Sequence, residues 1–172
     1  MGLQLVNITT SGVLNGNTSQ TYAIKHPLAF ISNKTSPWDW YTNTGNKNDN
    51  LWIPNTKSVF DPCPQGWRTP SKGTWSDYSI TIAPYYIQGV EATSSNRMIT
   101  NGRLYQNLSW YPALGARDRH SGLLVVVGAN AYCWSSSVNN AYVYFQYFDF
   151  LQIIPDCPQG RGHGFPVRCV QE

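Results

Sequence analysis

The chain has 172 residues, of which 12% are charged and 14% aromatic, and a formal net charge of +3. That length suits one domain with a sizeable core, and so small and scattered a positive charge excludes a nucleic-acid-binding stripe. Scarce Glu and Lys beside 14 glycines and 11 prolines favour short strands joined by turns over long surface helices.

The opening residues "MGLQL" lack the basic start and long apolar segment of a secretory signal. Residues 1–20 read as an N-terminal strand, Leu3–Ile8, followed by a Gly/Asn/Ser-rich loop, or as a linker to upstream sequence. Thr21–Ile31 reads as a second strand, interrupted or edged by Pro27. Ser32–Asn55 reads as loop, with Trp38, Trp40, Tyr41 and Trp52 pinning it to the core. Lys57–Ser71 carries Pro62, Pro64, Pro70 and Gly66, a stiff and irregular connection. Ser71 is placed to cap a short helix running to Tyr78. Tyr85–Val90 and Arg103–Leu108 read as short strands. The apolar run Leu123–Val127 is strand-length, far below the roughly 20 residues of a membrane span. A Gly-Ala-Asn turn, another strand from "NAYCWSSS", and a very aromatic strand over Ala141–Phe150 follow.

Cys63, Cys133, Cys157 and Cys169 allow three full pairings, and one or two disulfides or four buried thiols all remain open. Cys133 reads as a small apolar core residue. No CxxC or HxxxH spacing exists, and His26, His120 and His163 are dispersed, so no zinc site is expected. The Asn-X-Ser/Thr triplets at Asn7, Asn17, Asn33 and Asn107 would matter only in a eukaryotic secretory protein.

Four spaced stretches carry a resemblance: "DWYTNTGNKNDNLW" (Asp39–Trp52), "KSVFDPCPQGWRTP" (Lys57–Pro70), "WYPALGARDRHSGLLVVVGANAYCWSSS" (Trp110–Ser137) and "RGHGFPVRCV" (Arg161–Val170). Together they resemble the Fibrobacter succinogenes major paralogous domain family, abundant in surface proteins of gut Bacteroidetes, over nearly all of Thr21 to Val170. Cys133 stands where that family usually has Tyr before Trp134, and Cys157 lies outside its blocks. The resemblance implies an α+β, C-type-lectin-like fold of mostly short antiparallel strands and long ordered loops with one or two short helices. It implies a single domain over 1–172, a central last strand held at both ends, and a Cys63–Cys169 disulfide. Trp67, Trp110 and Trp134 are expected in or beside the core, with Arg68 and Arg168 as polar ties.

Members similar to this sequence include variable proteins of diversity-generating retroelements, in which a mutagenic reverse transcriptase rewrites the 3′ coding end. That implies a ligand-binding face just before the C-terminal anchor, in Tyr142–His163. The expected face comprises Tyr142, Tyr144, Gln146, Tyr147, Phe148, Asp149, Phe150, Leu151, Gln152, Ile153, Ile154, Asp156, Cys157, Gln159 and His163. Strand alternation sends Val143 and Phe145 to the core and Tyr142, Tyr144 and Gln146 to the opposite face. Exposed aromatics of this density mark interaction sites. Adenine-directed change of Asn codons cannot produce Lys, Glu, Met, Trp or Gln. Tyr142–His163 contains none of the first four, and Gln146, Gln152 and Gln159 are then template residues.

The expected partner is an unknown protein or cell-surface ligand, met outside the cell on a surface lipoprotein, a pilus tip or a phage virion. No cofactor, metal, nucleic acid or membrane span is expected. A structural or adhesive module packing its aromatic face on a partner domain is the first alternative. A catalyst like the formylglycine-generating enzymes is the second, with Cys133 and Cys157 its one conceivable cysteine pair. Asp118, Asp61 and Glu91 are available carboxylates, but nothing beside them suggests a perturbed pKa, and His120 reads as a surface turn residue. The Glu-Pro-Asn and Trp-Asn-Asp signatures of calcium-dependent sugar binding are absent, and Asp39, Asp49 and Asp77 stand isolated.

Overall fold

β1 (Gln4–Asn7) opens the chain, and α1 (Gln20–Lys25) separates it from β2 (Ala29–Ser32), to which it pairs in parallel. The computed structural model describes residues 3–14, 19–45, 47–87, 90–91 and 101–172, with side chains omitted at 90–91. The Asn17 triplet and the Glu91 side chain therefore lie outside the described residues. The expected strand over Thr21–Ile31 is instead a helix and then a strand. Pro27 disfavours helical geometry at the residue before it, so α1 ends at His26 (φ −127°, ψ 70°) and the chain re-enters as β2. A small core of Val6, Ile8, Val13 and Ile31 forms there, with Tyr22, Ala23 and Trp40 against it.

β3 (Trp67–Arg68) precedes a 3-10 turn at Lys72–Trp75, shorter than the expected helix and without a side-chain cap from Ser71. β4 (Tyr85–Ile87), β5 (Val90–Glu91), β6 (Gly102–Tyr105) and β7 (Ser109–Pro112) make an antiparallel sheet in the order β5-β4-β6-β7. The strand expected over Arg103–Leu108 stops early. Gln106 and Asn107 both take positive φ (49° and 57°), the left-handed geometry that turns a hairpin. β8 (Ala116–Arg117) and β9 (Leu124–Val125) form a two-stranded ladder. Its tip leaves all of Leu123–Val127 exposed, so that run is no interior strand.

β10 (Ala131–Asn139), β11 (Tyr142–Phe148) and β12 (Ile153–Gly160) form an antiparallel sheet with β11 in the middle. β12 comes from a stretch without regular hydrophobic period; its partner strand, not its own pattern, recruits it. The main core lies on one face of this sheet, where Phe148 and Ala131 meet Trp75, Tyr78, Ala83, Tyr85 and Ala113. Trp134 is buried, but Trp67 and Trp110 are 43% and 38% exposed. The interior tryptophan of the main core is Trp75.

Among the described residues β13 (Val170–Gln171) pairs only with β3, in a ladder of two residues per strand. The last strand is thus not central to a sheet. The terminus is nonetheless tied along its whole length. Gly164 exchanges two backbone hydrogen bonds with Arg117, Pro166 O accepts from Trp134 N at 3.0 Å, and Glu172 N donates to Gly66 O at 3.1 Å. Cys169 is disulfide-bonded to Cys63, 106 residues earlier. Arg168 Nη1 donates to Trp110 O at 2.8 Å and its guanidinium lies 4.0 Å over the Tyr111 ring. Arg68 is half-buried, with Nη1 inaccessible and unpartnered among the described residues.

Candidate functional site

Cross-strand partners share a face and successive residues alternate, so the β10–β11–β12 register sorts the expected recognition residues. The rows Ala131–Phe148–Ile153 and Cys133–Gln146 lie on the core side. Tyr132–Tyr147–Ile154, Trp134–Phe145–Cys157 and Val143–Gln159 lie on the other side, called here the outer face. Gln146 and Phe148, expected on an exposed face, are 1% and 0% exposed. The aromatics arriving from Tyr78 and Tyr85 cover their side of β11. Phe150 and Ile153 are half-buried against the same core.

Tyr142 and Tyr144 belong to the core-side rows, beyond the covered part, and Lys72 Nζ stands 4.5 Å over the Tyr144 ring. Leu151, Gln152 and Asp156 are exposed, Leu151 and Gln152 in the turn before β12 and Asp156 at its register shift. Tyr147, Ile154, Cys157, Gln159 and His163 come together as a half-buried set on the outer face.

Residues not expected from the sequence complete that face. Phe165, from the terminal anchor, stacks on Tyr132 at 4.7 Å and on His163 at 5.1 Å, and covers Phe145 at 5.0 Å. Tyr132 alternates with Cys133 in the strand read from "NAYCWSSS", and that alternation puts it on the face opposite Cys133. Asn130 donates to the hydroxyls of Tyr147 and Tyr132 at 3.0 and 3.2 Å. The Tyr147 hydroxyl in turn donates to Asp149 Oδ2 at 2.8 Å. Burial and the Asp149 carboxylate both hold the Tyr147 phenol well above its ordinary value, so it stays protonated and donating. Burial pushes Asp149 upward, yet bonds from Tyr147 and from the amides of Gln152 and Leu151 outweigh it and leave the carboxyl below its usual range.

At the other side of the face, Arg119 stacks 4.0 Å over Trp38 and reaches Gln159 Oε1 at 3.2 Å and His163 Nε2 at 3.0 Å. Burial and then the Arg119 charge lower the His163 pKa, which fits a neutral imidazole accepting from the guanidinium. Two glycines allow this arrangement: a Cβ on Gly160 or Gly162 would stand 2.6 Å from the carbonyl oxygens of Pro37 and Trp38, respectively. The chain passes there at backbone distance only because no side chain intervenes.

Cys133 and Cys157 are free thiols whose cross-strand partners, Gln146 and Phe145, point to opposite faces. They do not form a pair. Burial pushes the Cys133 thiol up to about 11 and, with Asp156, raises that of Cys157; neither is poised as a thiolate. Among the described residues no three His, Cys, Asp or Glu side chains gather as metal ligands, and no helix is long and apolar enough to cross a membrane. The arrangement offers amphipathic rings, hydrogen-bonded hydroxyls and one stacked guanidinium, the chemistry of a recognition surface. No family model, no curated protein and no solved structure matches the chain.

Proposed function

We propose that the chain is a protein-binding domain with a C-type-lectin-like scaffold, a variable protein of a diversity-generating retroelement acting outside the cell or on a virion. Its recognition surface is the outer face of β10–β12. One observation carries the reading: within a single segment, Tyr147, Ile154, Cys157, Gln159 and His163 reach one half-buried face while Gln146 and Phe148 go to the interior. A segment so divided can change its outward residues without touching the main core around Phe148.

The scaffold supports this. A three-stranded antiparallel sheet, long ordered loops and a terminus tied through Cys63–Cys169 suit a lectin-like frame, and a disulfide persists in oxidising surroundings. Rigid aromatics beside adaptable polar groups are what paratopes use against protein surfaces.

The test is sequencing of the gene's 3′ end across a natural population. The expected result is near-identical copies beside a reverse transcriptase gene, differing at adenines in the codons for 147, 154, 157 and 163, with Gln159 constant. Differences spread equally over codons 146 and 148 would count against the reading, as would copies without adenine bias.

A further inference from the structure

The tip of the β8–β9 ladder presents an unbroken apolar run to solvent: Leu123, Leu124, Val125, Val126 and Val127 are 38% to 65% exposed. Gly128 N donates to Ala113 O at 2.8 Å, and a Cβ on Gly115 would stand 2.4 Å from Val125 O. The segment Ala113–Gly115 thus lies directly against the run, and the exposed Leu114 extends the patch. Together these six residues expose roughly 500–600 Å² of apolar surface, the upper end of what a lone monomer leaves uncovered.

β9 also stands at an open edge. Arg117 directs both its backbone groups to Gly164, donating at 2.8 Å and accepting at 3.0 Å. Successive residues of a strand direct these groups to opposite sides, so Ala116 is the residue that bonds β9, through Val125. The N–H and C=O of Leu124, opposite Arg117, therefore point away from β8. Among the described residues no strand pairs on that side. Natural edges are blunted by Lys, Pro or an inward-pointing charge, and Leu123–Val127 has none. Val126 takes a φ of +49° and ends the strand, which leaves Leu124 at the centre of the edge with a donor and an acceptor facing out.

A donor and an acceptor on one residue complement a second copy of themselves, because directly opposed residues of antiparallel strands exchange both bonds. We propose that the chain forms a two-fold homodimer in which the two β9 strands pair antiparallel about Leu124, joining two β8–β9 ladders into one four-stranded sheet. The two patches together remove roughly 1,000–1,200 Å² from water, the threshold of a specific protein–protein interface. No charged side chain lies in the run, so like charges do not meet at the seam. Arg117 keeps Nη1 on Gly122 O at 2.6 Å, and Arg119 is stacked on Trp38. Both guanidiniums are engaged within the chain instead of forming the cationic collar that a lipid surface attracts. Each copy has one such edge, so association stops at two. The inference does not depend on the reading of the outer face.

Sedimentation of the whole chain from about 1 µM to about 1 mM tests it, with a monomer–dimer Kd of about 10–100 µM expected for so small an interface. Leu124→Lys sets two like charges face to face at the axis and weakens the dimer about tenfold or more. Ile24→Lys, at an exposed apolar position on α1, leaves it unchanged. Leu124→Cys is a second arm that needs no added charge. It is expected to cross-link to its own copy under air and a copper catalyst, since opposed Cα atoms stand about 5.5 Å apart. Leu108→Cys, at the exposed turn after β6, is expected not to. A chain that stays monomeric over the whole range, a dimer insensitive to Leu124→Lys, cross-linking no better at 124 than at 108, or growth past two copies overturns the inference. So does Leu124-dependent binding of a monomeric chain to phosphatidylcholine–phosphatidylserine vesicles, which would assign the tip to a lipid surface.

Discussion

Arg103 donates from Nη2 to the carbonyl oxygen of Asp149 at 2.7 Å, although 46 residues separate them. The same nitrogen reaches Phe150 O at 3.0 Å, and Nη1 reaches Ala83 O at 2.7 Å. One guanidinium, 1% exposed, thus joins β6 to the turn that launches β12 and so fixes the frame of the outer face. Burial lowers its pKa, yet an arginine keeps its charge in such surroundings.

Arg103→Lys supplies a compact ammonium in place of the planar fork and leaves at least one buried carbonyl without its donor. The expected loss is about 2–4 kcal/mol of stability, read as a lower denaturant midpoint with unchanged slope. A lysine variant as stable as the parent would show that the fork is dispensable.

Gln146 presents the opposite case. Both side-chain amide atoms are buried without a partner among the described residues, between Cys133 and the core aromatics. An unpaired buried amide costs more than it returns. Gln146→Leu is therefore expected to stabilise by about 1–3 kcal/mol, measured by urea unfolding. Destabilisation would mean that the amide has a role the packing does not reveal.

The Cys63–Cys169 bond closes a loop of 106 residues. Loop-closure entropy assigns such a bond about 3–5 kcal/mol. The double variant Cys63→Ser/Cys169→Ser is expected to melt well below the parent, and reductant to bring the parent down to the same temperature. An unchanged melting temperature would separate the terminal anchor from the disulfide and leave it to the backbone bonds at Gly164, Pro166 and Glu172.

His163 makes stability depend on pH. Burial and Arg119 hold its folded pKa below the ordinary 6.5, so the unfolded chain takes up the proton first. Stability then rises with pH across that window: none of this penalty is present above about 6.5, and it grows as the pH falls toward the folded value. The lowered carboxyls of Asp61, Asp118 and Asp149 act separately, with stability lost as pH falls below their unfolded value of 3.8. His163→Gln is expected to flatten the slope of melting temperature between about pH 5 and 7; an identical slope in that variant would place its origin elsewhere.

Local chemistry was plain in the amino-acid order. Alternation announced β11, Pro27 announced a break, and the VRCV and DPCP blocks led through a family resemblance to the bond between Cys63 and Cys169. Alternation, however, defines two faces of a strand without saying which one is covered. Tyr142, Tyr144, Gln146 and Phe148 share one face of β11, and only the arrival of Trp75, Tyr78 and Tyr85 from distant segments puts Phe148 and Gln146 in the interior. β12 has no period of its own and exists because β11 offers it an edge. The outer face was likewise half hidden, since Asn130, Tyr132 and Phe165 meet Tyr147 and His163 only after β10 and the terminal anchor are in place. Covering a face, pairing an edge and gathering rings are long-range events, and their energy comes from partners that no local window contains.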